Sequence, residues 1–198
     1  MEKKEVRDII KFVQNARKLK STFRFSETLK DMNESVADHS WRLTLMTFLV
    51  SEELNLKLDV SRALKLAIVH DLAEALTGDI DAWHVITGKI SKKRKEQNEK
   101  KAIEKITKDF PFGSKIKSLC QECLDQTSDE AKLVKGLDKI EALLSIYEAG
   151  HKKYTKKVFH GNYADEAVHN FPQLDGLLVG VKKRLKKELS KGNVTWKE

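Results

Sequence analysis

The sequence contains little of the two residues that interrupt helices. Its 198 residues include two prolines and nine glycines, whereas an average chain of this length carries about ten prolines and about fourteen glycines. Because both residues destabilise helix interiors, their scarcity favours long helices. An all-α fold is therefore the first prediction.

Long apolar runs are also missing. The longest candidate, residues 43–50, is interrupted by Thr44 and Thr47 and is much shorter than the roughly 20 residues that span a bilayer. Residues 1–5 lack the apolar segment of a signal peptide. We therefore expect a cytoplasmic protein with no membrane partner.

Arginine is scarce among the basic residues. The chain has 38 lysines and arginines and a net charge of +8, but only seven of these side chains are arginine, the residue that pairs with guanine edges and stacks on bases. The lysines concentrate in residues 89–108, 152–157 and 182–191. These stretches are typical of solvated helix surfaces that attract small anions, so we do not expect polymeric nucleic acid as a partner.

Only two cysteines are present, Cys120 and Cys123. A C-x-x-C pair can bind zinc or act in redox chemistry, but no second pair accompanies this one. On a helix, the spacing places both side chains on one face, and we expect them to pack in the core.

Apolar residues recur at helical spacing through nearly the whole chain. The predicted helices cover about residues 6–19, 36–54, 59–76, 91–110, 114–124, 128–149, 164–169 and 173–189. Asp59 or Ser61 is expected to cap the third helix, which ends at Gly78, and residues 127–130 form a capping-box pattern before the long sixth helix. With no alternating strand pattern, repeat or linker, the sequence predicts one domain over residues 1–198.

Three positions place ionisable residues inside apolar helices. They are His39, the adjacent pair His70 and Asp71, and Asp138. Buried charged groups are rare unless they are paired or bound to metal. Two imidazole nitrogens and two carboxylates suit one Mn, Fe, Co, Ni or Zn ion better than calcium or magnesium.

Helix geometry extends this candidate site. Glu74 follows His70 by four residues and Asp71 by three, which places the three side chains on one helix face. Gly78 then turns the chain, and Asp79 is expected to approach the same point. For Asp81 the sequence leaves two interpretations open, a solvated loop or a part of the site.

These residues resemble the signature of the HD-domain metal-dependent phosphohydrolases. His39, the pair His70-Asp71 31 residues later, and Asp138 after another 67 follow its His, His-Asp, Asp order. The surrounding residues 34–40, 70–80 and 130–139 are similar to the 5'-deoxynucleotidase branch. The likeness covers about residues 19–147 and implies an HD-domain helical bundle, with the helices of residues 163–190 packed on that core.

The resemblance also implies a role for each site residue. His39, His70, Asp71 and Asp138 would hold one divalent metal ion, and Glu74 and Asp79 would act on the attacking water and the leaving group. Arg24, fifteen residues before His39, would orient the phosphate. Phe25 stands where members carry a tryptophan that packs on the sugar. The expected substrate contacts are Arg24, Phe25, Asp71, Asp79, Ile80, Asp81, Ala82 and Asp138.

The resemblance therefore implies hydrolysis of deoxynucleoside 5'-monophosphates. An HD-type triphosphohydrolase or alarmone hydrolase is the alternative, but we expect Arg24 to be the only basic residue in the site, with no cluster for further phosphates. A non-catalytic basic helical module is a third interpretation. Trp83 and His84 either line the substrate pocket or pack elsewhere. The resemblance, and helices that are apolar on more than one side, suggest a homodimer.

Overall fold

One long helix lies at the centre of the computed structural model, which describes residues 1–198. This helix, α8, covers Asp129–Ala149, and twelve of its 21 residues are buried. Apolar residues on nearly all of its sides explain this burial, because such a helix must be covered by others. Helices α2, α3, α7, α9 and α10 pack around it.

The chain forms ten α-helices, two short 3-10 helices and two short strands. The α-helices are α1 Lys3–Ala16, α2 Val36–Glu53, α3 Val60–Val69, α4 Glu74–Thr77, α5 Ala82–Ile86, α6 Lys92–Thr107, α7 Gly113–Asp125, α8 Asp129–Ala149, α9 Asp165–His169 and α10 Asp175–Ser190. The 3-10 helices are Arg17–Ser21 and Pro172–Leu174, and the strands are β1 Val158–His160 and β2 Thr195–Lys197. The predicted all-α class is confirmed, and no helix has the length and apolar character needed to cross a membrane.

The strands were not predicted. β1 and β2 pair in parallel, with Phe159 opposite Trp196, and the rings of these two residues stack with centroids 4.9 Å apart. Three residues are too few to show the alternation that identifies a strand in a sequence.

The third predicted helix is interrupted where the ionisable pair lies. Asp59 caps α3 by accepting a hydrogen bond from the Arg62 amide, but α3 ends at Val69 and a separate turn of helix, α4, begins at Glu74. Between them the amides of Leu72 and Glu74 donate to carbonyls three residues back, which winds the chain more tightly than an α-helix. A continuous helix through Glu74 was therefore the wrong prediction.

Two serines fix the starts of the helices that carry site residues. Ser35 and Asp38 form a reciprocal capping box at the start of α2, and His39 directly follows Asp38. Ser128, rather than Thr127, caps α8 by accepting from the Ala131 amide. The capping box predicted for residues 127–130 does not form, because the Glu130 carboxylate accepts a hydrogen bond from the Asp59 amide instead.

The two cysteines lie between α7 and α3. Their Sγ atoms are 3.5 Å and 3.6 Å from the carbonyl oxygens of Val69 and Leu66. Burial raises the pKa of the Cys120 thiol to about 12, so this side chain stays a neutral, packed group at physiological pH.

We expect Leu185→Ala to destabilise the fold. Leu185 on α10 is fully buried in the main core, and removing such a side chain costs about 2–5 kcal/mol because a cavity remains. Val179 on the same helix is 65% exposed, and Val179→Ala should change the free energy of unfolding by less than about 0.5 kcal/mol. Urea unfolding of both variants measures the difference. Equal free energies of unfolding would contradict this packing of α10.

Candidate active site

Four side chains from three parts of the chain converge beside α8. His39 comes from α2, His70 and Asp71 follow α3, and Asp138 comes from α8. His39 Nε2 lies 3.1 Å from His70 Nε2 and 3.4 Å from Asp138 Oδ1. Asp71 Oδ2 lies 2.9 Å from His70 Nε2 and 3.6 Å from His39 Nε2. The structure thus brings together all four residues predicted to hold a metal ion.

The other ring nitrogens fix the direction of both imidazoles. His39 Nδ1 lies 2.6 Å from Glu141 Oε2, and His70 Nδ1 lies 2.8 Å from the carbonyl oxygen of Ala67. Because these two oxygens can only accept, each ring carries a proton on Nδ1. The two Nε2 atoms then face each other beside two carboxylates. Burial and Arg24 would lower the pKa of His39, but Asp138 and Glu141 raise it to about 9.

This arrangement fits a bound metal ion. The carboxylates of Asp71 and Asp138 repel each other unless positive charge lies between them. Donor atoms of His39, His70 and Asp138 all lie within 4.8 Å of one another, and their chemistry, two nitrogens and carboxylate oxygens, is that of a divalent transition-metal site.

The electrostatics of the carboxylates agree with this fit. Burial would raise the pKa of Asp138, but the ammonium groups of Lys139 and Lys135 outweigh it and hold this pKa well below its usual range. Burial would also raise the pKa of Asp71, yet His70 beside it keeps that pKa low. Both carboxyl groups are therefore ionised and able to bind a cation.

Glu74 and Asp79 lie on the same cavity, and their pKa values differ in direction from those of Asp71 and Asp138. Burial, with Asp71 and Asp79 nearby, raises the pKa of Glu74 well above its usual value, and Glu74 Oε2 has no hydrogen-bond partner. Burial raises the pKa of Asp79 to about 6 despite Arg24 and Lys95. Carboxyl groups whose pKa values are raised in this way are suited to proton transfer near pH 7.

A buried carboxylate that the sequence analysis missed holds this site together. Glu141 is fully buried on α8; besides His39, its Oε2 accepts a 2.9 Å hydrogen bond from Arg24, and its Oε1 accepts a 2.8 Å bond from Arg42. Burial would raise the pKa of Glu141, but His39 and Arg24 lower it to about 2. The available signal was a second acid one helical turn after Asp138 in an apolar helix.

Arg24 and Phe25 form one wall of the cavity. The Arg24 guanidinium is buried, pairs with Glu34 and Glu141, and lies over the Phe25 ring with its carbon 4.7 Å from the ring centroid. Phe25 has a φ of 60°, a left-handed conformation that is uncommon for an aromatic residue and occurs often at functional sites.

Asp81 lies in a buried turn, and its interpretation as part of a solvated loop is wrong. Its Oδ2 accepts 2.9 Å hydrogen bonds from the amides of Glu27 and Thr28, and its Oδ1 accepts from the Thr28 hydroxyl and the Trp83 amide. These bonds attach the segment after α4 to the loop that carries Arg24 and Phe25. The neighbours Ile80 and Ala82 line the cavity.

The cavity has a volume of about 430 Å³ and is bounded by most of the predicted residues. Its walls include Arg24, Phe25, His70, Asp71, Glu74, Asp79, Ile80, Asp81, Ala82 and Asp138; His39 lies behind them, 1% exposed. Trp83 and His84 are not among its lining residues; His84 Nε2 instead lies 3.1 Å from a Glu27 carboxylate oxygen.

Lysines also line this cavity, so Arg24 was wrongly expected to be its only basic residue. Lys92 and Lys95 come from α6, and Lys135 and Lys139 from α8. Lys95 Nζ lies 4.0 Å from Glu74 Oε1. The sequence did not show that the charged helix α6 faces the site.

Known proteins show the same combination of sequence and fold. A family model described as HD domain matches residues 16–174. The 5'-deoxynucleotidase HDDC2 of Danio rerio is 38% identical over 117 residues, which cover 58% of this chain and 55% of that protein. The human 5'-deoxynucleotidase HDDC2 is 32% identical over 72% of this chain and 68% of its own length. The match thus spans between about half and two thirds of these curated relatives.

Solved structures share the architecture over most of the chain. A predicted metal-dependent phosphohydrolase from Magnetospirillum magnetotacticum has a TM-score of 0.73 at 21% identity, covering 96% of this chain and 98% of its own. A conserved hypothetical protein from Pyrococcus furiosus has a TM-score of 0.69 at 27% identity, covering 88% and 99%. The family match, the relatives and the fold agree: the chain belongs to the HD-domain family.

Proposed function

We propose that this protein is a metal-dependent 5'-deoxynucleotidase, which converts deoxynucleoside 5'-monophosphates to deoxynucleosides and phosphate. One observation carries the proposal: two histidine Nε2 atoms and two carboxylates converge on a cavity that also holds two carboxyl groups of raised pKa. The name of the relatives, 5'-deoxynucleotidase, supports the substrate class.

His39, His70, Asp71 and Asp138 would hold one Mn, Fe, Co, Ni or Zn ion. When bound, such an ion polarises a phosphoryl oxygen and lowers the pKa of a water molecule. Glu141 orients the His39 ring, since its carboxylate fixes the proton on Nδ1.

Glu74 and Asp79 would divide the proton transfers. Glu74 Oε2 forms no hydrogen bond within the protein and is therefore free to accept a proton from the attacking water. Asp79, with a pKa of about 6, would donate a proton to the leaving 5'-oxygen. Proton transfers of this kind contribute about 10²- to 10⁴-fold each.

Arg24 and Phe25 would hold the rest of the nucleotide. A buried guanidinium stabilises charge on phosphoryl oxygens, and the Phe25 ring offers an apolar surface to the sugar. Phe25 has no side-chain donor, so discrimination between deoxyribose and ribose would depend on shape alone.

The charge of the cavity favours a monophosphate over a triphosphate. Eight carboxyl groups and five lysine or arginine side chains line it, so acidic groups outnumber basic ones. A triphosphate or an alarmone would meet stronger repulsion than a monophosphate. The homodimer and the cytoplasmic location stay predictions from the sequence.

A phosphate-release screen tests the proposed activity. We expect deoxynucleoside monophosphates to be hydrolysed with Mn or Co ions, and the corresponding di- and triphosphates to be spared. Asp138→Asn should abolish turnover because it removes one ionised ligand. Release only from triphosphates would contradict the proposal, and equal rates on ribonucleotides would show that Phe25 does not select deoxyribose.

Asp79→Asn tests the proton donor. We expect kcat on deoxynucleoside monophosphates to fall by about 10²- to 10⁴-fold, while metal content measured by atomic absorption stays unchanged. Undiminished turnover with metal still bound would remove Asp79 from the mechanism.

Glu141→Gln tests the orientation of His39. Loss of an orienting carboxylate lowers metal affinity by about 10- to 100-fold, which titration with Mn or Co ions would measure. Glu148→Gln is the matched control, because Glu148 also pairs with Arg42 but is 57% exposed; its affinity should equal that of the wild type. Unchanged affinity in Glu141→Gln would contradict this role.

A further inference from the structure

A second, smaller recess adjoins the cavity that contains His70, Asp71 and Asp138. It measures about 40 Å³, and six of its twelve lining residues carry aromatic rings. These rings belong to Phe25, Trp83, Tyr154, Phe159, His160 and Tyr163. The recess and the cavity share residues, including Phe25, Ala82 and Tyr163, so they are neighbouring parts of one concave surface.

Separate segments of the chain build this recess. Trp83 lies in α5, directly after the buried turn of Asp81. His160 ends β1, and its ring meets the Trp83 ring at 61° with centroids 6.0 Å apart. Lys156 Nζ lies 5.2 Å from the centroid of the Trp83 ring. The recess therefore depends on the strand pair, which the HD motif does not contain.

The polar groups of the recess fall into two sets. The Tyr154 hydroxyl donates to the Val158 carbonyl, and the Thr28 hydroxyl donates to Asp81, so both are satisfied within the protein. Trp83 and His160 form hydrogen bonds only through their backbones. No hydrogen bond within the protein therefore occupies their ring nitrogens.

We propose that this recess binds the heteroaromatic base of the substrate. This inference rests on the proposed function, in which Arg24 and the histidine and aspartate cluster bind the phosphate. Every nucleobase has a flat π face that stacks on aromatic side chains, and its edge carries donors and acceptors that ring nitrogens can meet. Because 40 Å³ is too small for a whole base, one edge of the base enters the recess and meets Trp83 and His160, while the rest of the base stays in the larger cavity beside the shared residues Phe25, Ala82 and Tyr163.

A substrate without a base separates this subsite from the phosphate site. We compare kcat and KM for deoxyadenosine 5'-monophosphate and for 2-deoxyribose 5-phosphate, in the wild type, Trp83→Ala and His160→Ala. Losing one base–aromatic contact should raise KM for the nucleotide by roughly 5- to 150-fold. The kinetics on 2-deoxyribose 5-phosphate should stay unchanged, because that substrate never reaches the recess.

Two further variants control for folding and for the kind of contact. Trp41→Ala removes an indole that is 69% exposed and should leave both substrates unaffected. Trp83→Phe keeps a stacking ring and should retain most of the nucleotide affinity. Equal losses on both substrates in Trp83→Ala and His160→Ala, or no loss on the nucleotide in either, would overturn the proposal.

Binding measurements keep this test separate from the proposed function. If the wild type hydrolyses neither compound, the proposed function fails, and calorimetric titration with the same two compounds still tests the recess. Tighter binding of the nucleotide that Trp83→Ala abolishes would support the base subsite. Equal affinity of the wild type for both compounds would refute it.

Discussion

The ionic hydrogen bonds of Glu141 are the interaction on which the site depends. This carboxylate has no exposure to solvent, and it accepts hydrogen bonds from His39, Arg24 and Arg42. A buried charge without partners is strongly destabilising, so these side chains must be held together when α2 packs against α8. The same packing that satisfies Glu141 aims His39 at Asp138 and holds Arg24 at the cavity wall.

The break between α3 and α4 is the second constraint. In a continuous α-helix, the spacing of His70, Asp71 and Glu74 would place all three side chains on one helix face. In the structure the chain winds more tightly after Val69, and the Ala67 carbonyl fixes the His70 ring. The pair His70-Asp71 thereby reaches His39 of α2 and Asp138 of α8. Glu74 and Asp79 remain on the cavity as groups of raised pKa.

The cavity combines an acidic centre with lysines from two helices. Lys135 and Lys139 both lie within 3.3 Å of Asp138 Oδ2, whereas its Oδ1 faces His39. Both lysines thus pair with Oδ2 of Asp138, and Oδ1 remains directed toward His39. The basic composition of the chain, which first suggested a solvated surface, therefore contributes directly to the site.

The sequence by itself determined the helical class, most helix positions and the four residues, His39, His70, Asp71 and Asp138, that converge beside the cavity. Hydrophobic periodicity and ionisable residues in apolar segments are local patterns, and residues close in sequence carry them. Only the tertiary structure decided that Glu141 and Arg42 support His39, that α6 brings lysines to the cavity, and that Asp81 is buried. It also decided that β1 and β2 build an aromatic recess beside Phe25. These features join residues far apart in sequence, and their geometry follows from how the helices pack, which no short pattern encodes.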